Sequence, residues 1–334
     1  MKILYVEDEI TKNIPRISRL FDKYLSKNAK KKLRDLENDD YPPSPEEVKK
    51  IVQASNLIEI EYSFPEALKK IIENHEKYSL FIIDRNLFEE DGYDFEEVKA
   101  ADPSFTEEKY ELYAEREGDY LLNILVYKTD VLSKFYFMTA YSAKEEIRGT
   151  ADIQTHIDMN KFSTENFIEK GSEEDFKKLK DIIDNIPILN LQYENKEYLH
   201  ILQKHINQEI TASFLKILSQ KDDYNSIRDN LNLMRIIYEQ ILTVCADKIP
   251  GMKADCKDEK GGKTIIWMKD KNHIDGDILR NFLFSIRNIA NKFGSHYTDK
   301  PVYSPTLNTI NALVYALKDI ILWFGQICEK YKKT

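Results

Sequence analysis

Two short apolar runs that each stop on carboxylates constrain this chain more than any other feature. The run 80–83, Leu-Phe-Ile-Ile, is uninterrupted and ends on Asp84; the run 2–6 ends on Glu7-Asp8-Glu9. Apolar stretches this short and β-branched suit strands buried on both faces of a parallel sheet, and such strands present ligands at their carboxyl ends. Asp84 alone leaves three roles open there: metal ligand, nucleophile or helix cap. With Glu7-Asp8-Glu9 beside it, three or four carboxylates would share one rim, where like charges repel strongly unless a hard cation holds them. Oxygen-only ligands with room for water and phosphate oxygens fit Mg²⁺ better than Zn²⁺ or a transition metal.

Two further strand ends add the groups such a rim would need. The apolar run 134–138 leads into Thr139-Ala140, and the shorter run 166–168 is followed by Glu169-Lys170. Acids, an acceptor Asp84, a hydroxyl on Thr139 and an ammonium on Lys170 make a phosphoryl-transfer site. Metal and Lys170 neutralise phosphate oxygens there while Asp84 attacks.

The rest of the chain organises around those strands. A helix is expected over 11–37, with Ile14, Ile17, Leu20, Phe21, Tyr24 and Leu25 on one face; its Lys30-Lys31-Lys32 and Arg34 read as a solvated surface. The segment 39–45 holds three prolines and breaks the pattern, and Ser44-Pro45 opens a new helix. Strand 57–61 and helix 65–74 precede the Asp84 strand. A tyrosine-rich acidic insertion follows at 89–118. It is bounded by Gly92 and Gly118, either of which suits the turn after that strand. Helices are then expected at 121–126, 143–148 and 173–186, with a second insertion at 149–163 and a stop at Pro187.

Beyond Pro187 the periodicity is helical throughout. One stripe carries Leu199, Leu202, Ile206, Ile210, Phe214 and Ile217; the next carries Ile227, Leu231, Met234, Ile237, Ile241 and Cys245. Segment 250–277, with four glycines and a β-like run at 264–268, reads as a long excursion before helices at 278–293 and 307–330. The 334 residues therefore divide into an α/β unit at 1–187 and an all-α bundle at 188–334.

Charge divides at the same place. Residues 1–187 hold 28 basic and 41 acidic side chains, net −13, and 188–334 hold 21 and 17, net +4. A mildly basic second half is compatible with RNA, but no helix-turn-helix carries clustered Arg and Lys, so DNA is not expected. Three cysteines without CxxC spacing fit a reducing compartment, and acids at 7–9 break the apolar core that a signal peptide needs. Lys318-Asp319 interrupts the apolar stretch 310–324, which favours a core helix over a membrane span. A soluble, cytoplasmic protein is expected. His200 and His205, five apart and without companion ligands, do not make a metal site, and Gly261-Gly262-Lys263-Thr264 lacks the upstream glycine of a P-loop.

Taken in order, Glu7-Asp8, Asp84, Asn86, Gly92, Thr139-Ala140, Phe167 and Lys170 resemble the motifs of the receiver domain of bacterial two-component response regulators, over residues 1–187. The chain departs from that pattern at Gly171, where receivers usually carry Pro. It departs also in its longer spacings, 76 residues from Asp8 to Asp84 and 31 from Thr139 to Lys170, which surface-loop insertions accommodate. The resemblance implies a flavodoxin-like, doubly wound, five-stranded parallel sheet. It implies phosphoryl transfer to Asp84 from a histidine kinase or phosphotransfer protein. Mg²⁺ would be held by Glu7 or Asp8, Asp84 and the Asn86 carbonyl. Lys170 would pair with the phosphoryl oxygens, and Thr139 would move toward the new dianion so that Phe167, the switch aromatic, turns inward.

In the second half, the segment 284–296 contains Arg287-Asn288 and His296 and is similar to the Arg-Asn to His motif of HEPN domains. Those four-helix proteins include metal-independent ribonucleases and non-catalytic nucleic-acid or dimerisation modules. Arg287 would stabilise a phosphorane and His296 would act as acid or base on a 2′-hydroxyl. The bland alternative is a surface patch at Arg287-Asn288 and a helix-terminal His296. Three functions stay open: a phospho-switched regulator with a dimerising or partner-binding bundle, a receiver-controlled ribonuclease, and a receiver-like scaffold that is never phosphorylated.

Overall fold

Strands β1 (Lys2–Val6), β2 (Ile58–Glu61), β3 (Tyr78–Asp84), β4 (Phe135–Thr139) and β5 (Phe167–Glu169) pair in parallel in the order β2-β1-β3-β4-β5. This is the flavodoxin-like arrangement. The structure is a computed structural model and describes residues 1–39, 41–87, 93–140, 151–258, 260–295 and 303–332. Two compact units emerge, Met1–Asn190 and Leu191–Thr334, and the division falls within the Pro187–Glu194 helix.

The central strands β3 and β4 carry apolar residues at consecutive positions, whereas the edge strand β2 alternates as Ile-Glu-Ile-Glu. Leu4, Val6, Phe81, Ile83, Phe135, Phe137 and Phe167 belong to one core, shared with the Phe64–Asn74 and Glu117–Val126 helices. On the opposite face the Tyr5 ring meets Phe21 edge-on at 5.5 Å, and Tyr24 donates its hydroxyl to the Ile183 carbonyl at 2.9 Å. Cover on both faces is what keeps consecutive positions of the central strands apolar.

Three expectations need correction. The segment 11–37 is not one helix but two, Ile14–Leu20 and Lys27–Glu37. The chain turns at Phe21–Leu25, and the Ser26 hydroxyl accepts the Ala29 N–H at 3.1 Å to start the second. The β-like run 264–268 is helical, within Gly262–Asp270. Ile265 and Met268, three apart, both face the core, and Thr264 anchors the first turn through its hydroxyl on the Asp258 carbonyl at 2.6 Å. The stripe from Leu199 to Ile217 is split into Lys196–His205 and Gln208–Gln220, where Asn207 caps the second helix by accepting the Ile210 N–H at 2.9 Å.

The insertion at 89–118 contains helices Phe95–Ala101 and Glu107–Tyr113. Aromatic contacts fasten it down: Phe105 lies 5.0 Å from Tyr120 and 6.0 Å from Phe64, and Tyr113 lies 5.2 Å from Tyr120. Tyr120 also donates to the Asp102 carboxylate at 2.6 Å. The expected helix at 143–148 lies outside the described residues.

In Leu191–Thr334 the long helices Ile227–Lys248, Gly276–Ala290 and Leu307–Lys330 share a core that includes Met234, Ile237, Ile241, Leu283, Ile286, Leu317, Ile320 and Phe324. Among the described residues one helix, Leu307–Lys330, is long and apolar enough to cross a membrane. Most of its apolar window is buried.

Candidate functional site

The register of the sheet gathers the chain's acids at its carboxyl edge. Val6 pairs with Ile83 and Asp84 with Met138, so Glu7, Asp84 and Thr139 leave neighbouring strands at one rim. Lys170 follows β5, and its backbone N–H donates to the Thr139 carbonyl at 2.7 Å. Carboxylate oxygens of Glu7, Asp8 and Asp84 all lie within 4.8 Å of one another. The Lys170 ammonium donates to Glu7 Oε1 at 3.1 Å and to Asp84 Oδ2.

Electrostatics follow from that crowding. Burial and then the charge of Glu7 push the Asp84 carboxyl well above its ordinary range, with Lys170 opposing them. Burial, followed by Glu7, raises Asp8 to about 6. Burial works against the Lys170 ammonium, yet Asp84 and Glu7 outweigh it and its pKa is raised. The Tyr5 hydroxyl lies 3.4 Å from Glu7 Oε2, and burial followed by Glu7 raises its pKa. Three carboxylates against one ammonium leave excess negative charge, and the donor set is all oxygen. The rim therefore fits a hard divalent cation.

The other residues singled out in the α/β unit are accounted for. Asn86 is exposed beside the rim, and its N–H lies 3.4 Å from Asp84 Oδ1. Thr139 is buried and Ala140 exposed. Phe167 is not at the rim: its ring already points inward, 5.4 Å from Phe137 and 5.5 Å from Phe162.

Around Asp84 the structure adds residues that the strand pattern did not reveal. Arg85, 5% exposed, makes a bidentate pair with Asp119, 1% exposed: Nε to Oδ1 and Nη2 to Oδ2, both at 2.8 Å. Glu117, fully buried, accepts the Leu87 N–H at 3.1 Å and the Glu115 N–H at 3.0 Å. Between them, Gly118 donates its N–H to the Arg85 carbonyl at 3.0 Å, and a Cβ there would lie 2.7 Å from the Asp84 carbonyl oxygen. Gly118 is thus the glycine whose missing side chain lets a helix start approach the Asp84 strand; Gly92 lies outside the described residues. One sequence signal was available, since a buried arginine needs a carboxylate, but nothing in the chain order pointed to Asp119.

In the helical unit Arg287 is half-buried next to Gly262, its Nη1 donating to Asn288 Oδ1 at 3.2 Å. His296 lies outside the described residues.

Fold and rim together define an α/β protein of flavodoxin-like topology with an acidic, lysine-bearing site at the carboxyl edge of its parallel sheet. No protein-family model matches the chain, and neither a curated protein nor a solved structure matches it.

Proposed function

We propose that the α/β unit is a phosphoryl-accepting switch of the response-regulator receiver type, and that the helical unit is the output it controls. The observation that carries this reading is the convergence of Glu7, Asp8 and Asp84 within 4.8 Å, with the Lys170 ammonium on two of them. Residues 163 positions apart, Glu7 and Lys170, meet there through a part-buried ion pair.

Glu7 or Asp8, Asp84 and the Asn86 carbonyl would hold Mg²⁺, which when bound offsets the negative charge of the incoming phosphoryl oxygens. An Asp84 carboxylate oxygen attacks the phosphorus of a phosphohistidine on a histidine kinase or phosphotransfer protein. A P–O bond forms as the P–N bond breaks, and the leaving ring nitrogen keeps the electron pair and takes a proton from solvent. Lys170 pairs with the transferred oxygens, and the Thr139 hydroxyl donates to the new dianion. The reading places the protein in the cytoplasm, with its helical unit serving a second copy or a partner, RNA included.

Incubation with acetyl phosphate and Mg²⁺ tests this directly. Phos-tag electrophoresis and peptide mass spectrometry should find a base-labile acyl phosphate on Asp84, lost on omitting Mg²⁺ and in Asp84→Asn. An unlabelled wild-type chain, or equal labelling of Asp84→Asn, would overturn the assignment.

A further inference from the structure

The three consecutive residues Glu117, Gly118 and Asp119 all grip the four-residue segment that carries the acceptor. Glu117 takes the Leu87 N–H, Gly118 closes on the Asp84 and Arg85 backbone, and Asp119 holds the Arg85 guanidinium in a two-point pair. We propose that this Glu117-Gly118-Asp119 turn is a positioning clamp that sets the direction of the Asp84 carboxylate and the Asn86 backbone toward the cation. The inference rests on the phosphoryl-switch reading and assigns it three residues that touch neither ion nor phosphoryl group.

Geometry favours positioning over mere packing. β3 ends at Asp84, so Arg85, Asn86 and Leu87 lie beyond the strand. There the Leu87 N–H and the Arg85 C=O bond to the clamp. The bidentate Arg85–Asp119 pair fixes angle as well as distance, which a lysine could not do. Because Glu117–Val126 begins at this turn, the acceptor loop takes its orientation from a buried helix bearing Leu121, Leu122 and Leu125. Glu117 and Gly118 are the last residues of the insertion at 89–118, and Asp119 follows it.

The test separates the two roles by removing the ion pair without leaving a buried charge alone. The double variant Arg85→Met with Asp119→Leu replaces both charges by apolar groups, a change that is often neutral or stabilising for a fold. Gly118→Ala pushes a methyl group against the Asp84 carbonyl while suiting the helix. Thermal melts would report folding, calorimetry the Mg²⁺ affinity, and acetyl phosphate the labelling rate. For both variants we expect a cooperative melt together with Mg²⁺ affinity lowered by about 10- to 100-fold, the range typical of lost outer support at a metal site, and slowed labelling. Wild-type Mg²⁺ affinity and labelling in either folded variant would overturn the clamp and leave the switch standing. A wild-type chain that neither binds Mg²⁺ nor accepts the phosphoryl group would overturn both.

Discussion

Protons and a divalent cation should compete at the rim, and Asp8 sets the window. Its carboxyl is raised to about 6 by burial and by Glu7, and it is one of the three oxygen donors within 4.8 Å. A cation must displace that proton, so apparent affinity weakens by a factor of 1 + 10^(pKa − pH). From about pH 7.5 to about pH 5 the loss is about tenfold for this one group. Asp84, raised by burial and Glu7, adds in the same direction. Stability of the metal-free protein should run the opposite way. A raised carboxyl favours the folded state below its unfolded pKa of about 3.9, and that contribution is lost as pH rises through about 6. Acid therefore steadies this site without metal and weakens it with metal. Calorimetric Mg²⁺ titrations in a pH series, paired with melts in chelator, read both. Asp8→Asn should flatten the affinity slope around pH 6. An affinity that is flat between those pH values, or that strengthens on acidification, would refute the electrostatic account.

Other outcomes follow from single contacts. Lys170→Met removes the ammonium from Glu7 and Asp84, so the metal-free melting temperature should fall while Mg²⁺ affinity rises; calorimetry showing weaker binding would contradict the charge balance. Phe137→Ala empties the centre of an aromatic cluster with Phe135, Phe162 and Phe167, and should cost about 3–5 kcal/mol by urea unfolding of the α/β unit. Thr306→Ala removes a cap whose hydroxyl accepts the Thr309 N–H at 3.4 Å, and should cost about 1 kcal/mol in the helical unit.

The chain order alone carried the strand framework. Strands covered on both faces are apolar at nearly every position, so 2–6, 80–83 and 134–138 announce themselves, and a carboxylate or hydroxyl directly after such a run sits at the sheet's edge. That is why Glu7, Asp84, Thr139 and Lys170 could be named from sequence. Local signals were weaker where a short polar cap decides the matter. Ser26 and Asn207 end one apolar stripe and start another without interrupting its period, so two helices read as one. Thr264-Ile265-Ile266 looks extended because β-branched residues favour strands. With the Thr264 hydroxyl tied to the Asp258 carbonyl and Ile265 and Met268 buried on one side, packing makes it a helix.

Sequence by itself determined which residues leave the strands, because burial is encoded position by position. Only the tertiary structure decided which of them meet: that Lys170 reaches Glu7 and Asp84, that Gly118 closes on the Asp84 strand, and that Arg85 finds Asp119. Ion pairs between partners 34 or 163 residues apart leave no periodic trace along the chain. They exist because burial leaves a charged side chain no water to turn to, and the partner is whichever opposite charge the packed helices and sheet bring within reach.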